Sequence, residues 1–380
     1  MAAVARGDRS LGLDLLAELA PGDNVMISPY SVATALSMVH AGARGETASE
    51  IGDVLHLEVD DETLHAVRNR MDQSLANIDW EPPDEEDTRD PFVIRPANSA
   101  WGQGGYPFRH SFLEILATHY GAGLRLTDFA GDPDSATDTI NEWTEEATEG
   151  RIEELIPPDV IDRLTRLVLV NAIWFQGNWE NQFDPQQTEE GTFSRLDGST
   201  VTAPLMRQEA LRADYAETPV LQAVRLPYTG NASMVVALPR EGAPADLVAE
   251  LRSGDWALPW EVRLVDVTLP RFEFDSDVPL RDALEAVGMP TAFEPPLGES
   301  GADFTGIVPV RELYVKDALH STSVTVDEHG TEAAAATAMV MNAVSAPPPA
   351  TFTADRPFLF WIEHTPTGEW LFLGRVTDPS

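Results

Sequence analysis

The stretch that decides the fold runs from Val326 to Ala346 and reads VDEHGTEAAAATAMVMNAVSA. It follows a β-branched segment at residues 323–326 and ends at three consecutive prolines, 347–349. In a β-strand, alternate side chains share one face. Along this stretch one such face would carry only side chains small enough to enter a packed sheet: Thr331, Ala333, Ala335 and Thr337.

The same stretch also favours a helix. Alanine has the highest helix propensity of all residues, and Thr331-Glu332 before an alanine run is typical of a helix start. Local sequence therefore leaves strand and helix equally open, and the rest of the chain has to decide.

Composition and charge exclude several classes of partner. The 380 residues include 63 acidic and 25 basic side chains, giving a net charge of -38, and Lys316 is the only lysine. Such a surface repels nucleic acid, anionic membranes and sulfated polysaccharides, so we expect none of these partners. The low lysine content fits both a protein adapted to salt and a genome rich in arginine and alanine codons.

Several kinds of chemistry lack the residues they need. The chain has no cysteine, which rules out disulfides and thiolate ligands. It also has no Gly-x-Ser-x-Gly or His-Glu-x-x-His motif, and the acidic segment 81–87 resembles a solvated turn. We predict no catalytic residues, no metal and no cofactor.

The N-terminal residues show no signal-peptide pattern, and no run approaches the ~18 apolar residues of a membrane span. We therefore expect a soluble protein. Its localisation stays open, because a trimmed secreted chain would look the same.

Hydrophobic periodicity predicts a mixed α+β architecture. Helices are predicted at 8–20, 30–41, 46–55, 64–78, 110–120, 134–148 and 280–287. Strands are predicted at 24–28, 92–101, 167–175, 191–193, 205–207, 222–227, 233–238, 262–269, 358–363 and 370–376. The region from 191 to 270 looks like short strands joined by turns. No linker or repeat divides the chain, so we expect a single domain over residues 1–380.

Several motifs, in one order along nearly the whole chain, resemble the serpin family of serine protease inhibitors, and in particular its prokaryotic-type inhibitory members. The motifs lie at Asn24–Ser31, Gly42–Thr47, Ile140–Trp143, Leu169–Asp184, Phe352–Ile362 and Leu373–Val376. The resemblance implies an α+β serpin fold with three β-sheets, about nine helices and an exposed reactive-centre loop at about 328–350.

The resemblance also implies a function. A serpin of this kind is a monomeric suicide substrate: cleavage of the loop triggers its insertion into the main sheet and traps the acyl-enzyme. The hinge of the loop would consist of Glu328, Gly330, Thr331, Glu332, Ala333, Ala334, Ala335, Ala336 and Thr337. Because these residues include no proline and no large inward side chain, they favour an inhibitor. The alternative is a non-inhibitory serpin that acts as a substrate or as a binding or chaperone protein.

The family's usual register, counted from Gly330, places the reactive bond at Val344–Ser345. Met341 or Met339 is the alternative reactive residue. No lysine or arginine occurs between 331 and 355, so we expect elastase-, chymotrypsin- or subtilisin-like targets rather than trypsin-like ones. Residues 60–95, where some relatives bind heparin, are strongly acidic here, so no heparin activation is expected.

Two further regions follow from the resemblance. The first is the shutter, the set of residues that would control opening of the main sheet. It would consist of Ser28, Pro29, Ser31, Asn171 and His320. Here His320 would bond to Asn171, although an ordinary core histidine with one backbone partner is the alternative. The second is the breach, the region at the upper entry of the same sheet. It would consist of Trp179, Arg271 and Glu328. We expect Arg271 and Glu328 to form a surface ion pair that positions the base of the loop.

Overall fold

The computed structural model describes residues 1–76, 92–121, 124–152, 154–158, 160–253, 258–331 and 349–380. Over these residues it contains eight α-helices and two short 3-10 helices at Pro185–Gln187 and Pro290–Phe293. The α-helices are α1 (Ala2–Glu18), α2 (Pro29–Gly42), α3 (Gly45–Val54), α4 (Asp61–Leu75), α5 (His110–His119), α6 (Pro133–Ala147), α7 (Pro244–Arg252) and α8 (Arg281–Val287). No helix in these ranges is long and apolar enough to cross a membrane.

Fifteen strands complete the described structure. They are β1 (Val25–Ile27), β2 (Val93–Gln103), β3 (Leu124–Thr127), β4 (Leu167–Asn178), β5 (Glu189–Ser194), β6 (Thr200–Glu217), β7 (Leu221–Pro227), β8 (Ala232–Pro239), β9 (Glu261–Pro270), β10 (Phe272–Pro279), β11 (Leu319–Val326), β12 (Gly330–Thr331), β13 (Ala350–Thr353), β14 (Phe358–His364) and β15 (Glu369–Val376).

Helix starts follow the capping signals in the sequence. Proline occupies the first helical position of α2, where its missing N–H leaves no bond unmade, and the Ser28 hydroxyl accepts the N–H of Ser31 at 3.1 Å. At α4 the Asp60 carboxylate accepts the N–H of Thr63 at 2.8 Å. These caps explain why the helices predicted at 30–41 and 64–78 begin within a few residues of the observed positions.

The largest sheet has nine strands in the order β1-β15-β14-β8-β7-β6-β9-β13, with β5 paired to β6. Every residue of β14, β15 and β8 is buried, as expected of central strands covered on both faces. The high apolar content of these segments made the strands predictable from the sequence.

The prediction of only short strands between 191 and 270 was wrong in two places. First, β6 is one strand of 18 residues, because a bulge between Gln208 and Leu211 lets it bend without ending. Ala210 in that bulge has φ +51°, and its N–H donates to the Asp266 carboxylate at 2.8 Å.

Second, the sequence reading missed α7 in the same region. Pro244 stands at its first helical position, and the Asp246 carboxylate accepts the N–H of Ala243 at 2.8 Å. Proline followed two residues later by an acid is a helix-start signal that could have been recognised. Strands β3 and β10 were missed as well.

Two smaller sheets complete the fold. One has the order β12-β4-β2-β3, and the other pairs β10 with β11 in antiparallel register from Phe272↔Val326 to Pro279↔Leu319. Among the described residues no ladder joins β4 to β11, so an unpaired opening lies between these strands.

Two large apolar clusters hold the layers together. One joins the nine-stranded sheet to α1, α2 and α8 through residues such as Leu11, Leu284 and Trp361. The other packs Phe175 of β4 and Phe272 of β10 against the opposite face of the same sheet. Since both β4 and β10 pack on this core, the nine-stranded sheet supports the strands on either side of the opening.

Candidate functional site

A tight turn at residues 327–330 forms the N-terminal root of the predicted loop. The N–H of Asp327 donates to the carbonyl of Gly330 at 2.9 Å. The Asp327 carboxylate in turn accepts the N–H groups of His329 (2.8 Å) and Gly330 (3.2 Å). This turn reverses the chain immediately after β11.

Beyond the turn, the chain runs back along β4. Gly330 pairs with Asn178 and Thr331 with Gly177, both antiparallel. The φ of Gly330 is +148°, and a Cβ there would lie 2.1 Å from the Gly177 carbonyl oxygen. Only glycine can therefore occupy position 330 in this conformation.

Trp179 fastens the turn to the end of β4. Its backbone N–H donates to the His329 carbonyl at 2.8 Å, and its indole Nε1–H donates to the Asp327 carbonyl at 3.0 Å. The indole is buried and stacks on Tyr228 with ring centroids 4.4 Å apart. One side chain thus packs in the core and also fixes the backbone of the turn.

Glu328 lies within the turn and its side chain is buried, being 2% exposed. Arg271 donates from Nε to Oε2 at 2.7 Å and from Nη2 to Oε1 at 2.5 Å, and the Thr188 hydroxyl donates to Oε1. Burial opposes ionisation of Glu328, but the hydrogen bonds from Arg271 and Thr188 outweigh it and lower its pKa below 4.5. The expectation of a surface ion pair needs correction, because the carboxylate is enclosed and only the guanidinium, 44% exposed, meets solvent.

The predicted shutter residues Ser28, Pro29 and Ser31 meet at the start of α2, close to β11. The backbone N–H of Ser28 donates to Nε2 of His320 at 2.8 Å. Complete burial lowers the pKa of His320 to about 4, so its ring is neutral at pH 7 and can accept this bond. The observed partner of His320 is a backbone group, as in the core-histidine alternative.

Asn171 lies in β4, paired with Asn98, and its side chain is outside the described part of the structure. Further bonds tie β1 to the strands beside it. The Thr322 hydroxyl donates to the Met26 carbonyl at 2.9 Å, and the Ser276 hydroxyl accepts the Met26 N–H at the same distance. The start of α2 is therefore anchored to β10 and β11, on one side of the opening.

The opening contains an apolar cavity of about 220 Å³. It reaches from β4 and β11 down to α2 and α8. Representative lining residues are Leu36, Val39, Val168, Val170, Leu284 and Leu319. An apolar space of this size, between two strands that form no ladder with each other in the described structure, can receive additional apolar side chains.

Much of the predicted loop lies outside the described residues: Glu332, Ala333, Ala334, Ala335, Ala336, Thr337, Met339, Met341, Val344 and Ser345. Its C-terminal root is described, since Ala350–Thr353 pairs in parallel with Val265–Thr268 of β9. The two roots thus attach to different sheets.

Sequence reasoning missed some residues of this site. Asp327 could have been recognised, because aspartate followed three residues later by glycine is a turn signal. Thr188 and Tyr228 carried no such signal, since they meet Glu328 and Trp179 only through the tertiary fold. Within the described ranges no group of three or more histidine or acidic side chains could hold a metal ion.

Comparison with known proteins identifies the family. The model of the family described as Serpin (serine protease inhibitor) matches residues 6–379. An uncharacterized serpin-like protein of Thermococcus kodakarensis is 38% identical over 99% of this chain and 86% of its own length. The human leukocyte elastase inhibitor is 33% identical over 100% of both chains.

Solved structures agree. The chain matches Tengpin, a thermophilic serpin in its native state, with a TM-score of 0.83 and 27% identity over 99% of this chain and 94% of that one. Serpin48 of the insect Tenebrio molitor matches with a TM-score of 0.82 and 29% identity, covering 99% and 97%. The chain belongs to the serpin family, which confirms the predicted family and fold. It is therefore a protease inhibitor rather than a catalyst.

Proposed function

We propose that this serpin is a suicide-substrate inhibitor of elastase-, chymotrypsin- or subtilisin-like serine proteases, acting as a single-domain monomer. The observation that carries the proposal is the opening between β4 and β11, at the top of which Gly330–Thr331 already pairs with β4. The residues that follow would continue this strand between β4 and β11, which would move apart to admit it.

The existing ladder defines which loop residues would face the core. Continued from Thr331↔Gly177, it sets residue 333 opposite Phe175 and residue 335 opposite Ile173. Phe175 and Ile173 are buried in the core, and directly paired residues share a face of the sheet. The inward positions are therefore Ala333, Ala335 and Thr337, whose small side chains fit against an existing core.

The chemistry belongs to the protease. Its serine attacks the carbonyl carbon of Val344, and the amine of Ser345 leaves with a proton to give an acyl-enzyme. Insertion then competes with hydrolysis. Each new backbone hydrogen bond contributes ~1 kcal/mol, so about a dozen would supply on the order of 10 kcal/mol. That is comparable with the stability of a protease domain, roughly 5–15 kcal/mol, and can distort the trapped enzyme.

Two observations support the proposed target specificity: the sequence of the loop and the similarity to a named inhibitor. Val344 is small and β-branched, which suits the small primary pocket of an elastase. The 33% identity with the human leukocyte elastase inhibitor supports the same class of target. Met341 would be the reactive residue if the target is chymotrypsin- or subtilisin-like.

The test is incubation with an elastase, a chymotrypsin and a subtilisin, followed by denaturing electrophoresis. We expect a complex that survives boiling in detergent, and a released peptide that begins at Ser345. Thr331→Arg should give only cleaved protein, since a buried unpaired charge is strongly unfavourable. Thr331→Ser is the matched control and should inhibit normally. Cleavage of the wild-type chain without any complex would instead indicate the substrate-only alternative.

A further inference from the structure

We propose that Asp327 is a positioning residue for inhibition: its carboxylate holds the turn that starts the inserted strand before any protease has cut the loop. This inference rests on the insertion mechanism proposed above. It assigns the initiation step to a residue outside the alanine-rich stretch. Asp327 does not touch the reactive bond and acts through the backbone of the turn.

The geometry places the Asp327 side chain inside the turn. The carboxylate oxygen Oδ1 accepts two successive N–H groups, those of His329 and Gly330, while the Asp327 N–H closes the turn on the Gly330 carbonyl. Charge-assisted bonds to backbone N–H groups are stronger than neutral ones. A single carboxylate oxygen thus sets the direction in which the chain leaves β11.

The neighbours of Asp327 hold the outside of the same turn. Trp179 bonds to the carbonyls of Asp327 and His329, and the Gln182 amide donates to the His329 carbonyl at 3.2 Å. The Phe183 N–H donates to the Glu328 carbonyl at 2.9 Å. These contacts fix the turn to the segment that follows β4, whereas in the described part of the chain the side chain that accepts the N–H groups inside the turn is that of Asp327.

A preformed start affects the rate of insertion. Pairing the first residues of a new strand costs conformational entropy, because the chain must be ordered before later pairs add their hydrogen bonds. Here Gly330–Thr331 is already paired with β4. Insertion after cleavage extends an existing strand and does not have to nucleate one, which favours insertion over hydrolysis of the acyl-enzyme.

The experiment compares Asp327→Ala with Asp327→Asn. The asparagine amide oxygen can still accept both N–H groups, whereas alanine cannot. Because the chain has no cysteine, Ala336→Cys in each background allows one environment-sensitive label to report insertion after cleavage. Three quantities are measured: the rate of loop cleavage, the rate of insertion, and the moles of inhibitor consumed per mole of protease.

We expect Asp327→Ala to insert about tenfold more slowly, as a barrier increase of ~1.4 kcal/mol would produce. It should also consume more inhibitor per protease, with the rate of loop cleavage unchanged. Asp327→Asn, whose neutral amide oxygen can bond more weakly to the same N–H groups, should insert at a rate between those of the wild type and Asp327→Ala. An insertion rate of Asp327→Ala within about twofold of wild type would overturn the proposal, and so would an equal defect in Asp327→Asn.

Folding of the variants is checked by circular dichroism. If Asp327→Ala does not fold, Asp327→Glu, which moves the acceptor by one methylene, should also slow insertion, and a normal rate would count against the proposal. A failure of the inhibitory function itself is distinguishable, because the wild-type chain would then form no complex. The label would still report its insertion after cleavage.

Discussion

Arg271 and Glu328, 57 residues apart in the chain, form a forked ion pair at the base of the reactive loop. The arginine is anchored by its backbone N–H, which donates to the Pro204 carbonyl at 2.9 Å. Since Pro204 belongs to β6 and Glu328 follows β11, the pair connects the nine-stranded sheet to the turn that begins the loop.

Loss of this pair should destabilise the intact protein. Arg271→Gln leaves a buried carboxylate with fewer donors, which costs about 1–3 kcal/mol. Arg207→Gln is the matched control, because its pair with Glu189 is 46% and 66% exposed and should contribute less than about 1 kcal/mol. Urea denaturation of both variants measures the difference. Equal effects would show that the burial of Glu328 does not matter.

Position 330 should accept only glycine. In Gly330→Ala the Cβ would lie 2.1 Å from the Gly177 carbonyl oxygen, so the first pair of the inserted strand cannot form as observed. Gly298→Ala is the control, since its φ is +66° but no atom lies within 4 Å of the new Cβ. We expect the free energy of unfolding of Gly298→Ala to fall by about 1–2 kcal/mol because of backbone strain. That of Gly330→Ala should fall further, because the new Cβ also clashes. Only Gly330→Ala should also impair complex formation.

Acid should weaken the shutter. The folded pKa of His320 is about 4, below the usual value of 6.5, so between these values the unfolded state binds more protons. Stability therefore falls as the pH drops from 6.5 to 4, by about 2–3 kcal/mol for this group. Burial also lowers the pKa of His65 and His364 to about 4, and both add to the fall.

The contribution of His320 is measured by urea denaturation at pH 7 and pH 4.5. His320→Gln should show a smaller loss than the wild type between these values. His110→Gln, at the exposed start of α5, is the control and should show the full loss. An unchanged pH dependence in His320→Gln would refute the assignment.

A rise in pH should act on a different site, the buried carboxyls of Asp8 in α1 and Glu369 in β15. The carboxyls of Glu369 and Asp8 are both buried, and Arg68 forms a bidentate ion pair with Asp8. Burial raises the pKa of Glu369 well above 4.5, with a smaller effect from Asp8 and an opposing one from Arg68. The folded state thus binds the extra proton, and stability falls as the pH rises above about 4.5.

Replacement by the neutral amide should remove this dependence. We expect Glu369→Gln to be more stable than wild type at pH 8 and equal to it near pH 4. Glu114→Gln on the exposed face of α5 serves as the control, with no such gain. Thermal unfolding of Glu369→Gln and wild type at the two pH values measures this difference. A Glu369→Gln variant less stable than wild type at pH 8 would contradict the prediction.

Salt should stabilise the whole molecule. A net charge of -38 generates self-repulsion that counter-ions screen. We expect the unfolding midpoint to rise between about 0.02 and 1 M KCl. Sucrose at matched osmolality separates screening from general exclusion effects. A midpoint that falls with KCl would show that favourable ion pairs outweigh repulsion.

Prediction from the sequence succeeded where a local pattern carries the information. The largely apolar runs at 358–363 and 370–376 indicated strands, and Ser28-Pro29 indicated a helix start. It failed in β6, because a bulge that depends on the Asp266 side chain of another strand keeps the strand continuous. It also mistook the Arg271–Glu328 pair for a surface contact on both sides, since nothing near Glu328 in the sequence encodes the burial of its carboxylate.

The sequence by itself determined what could enter a sheet: a run of small side chains after Gly330, with no charge on its inward face. It did not determine whether that run is helix or strand, since alanine suits both. The tertiary structure decided where the strand starts, by placing the Asp327 turn against Trp179 and leaving β4 unpaired with β11. The physical reason is that this pairing joins Gly330 to Asn178, which are far apart in the chain and meet through the order of strands in the sheets and not through local periodicity.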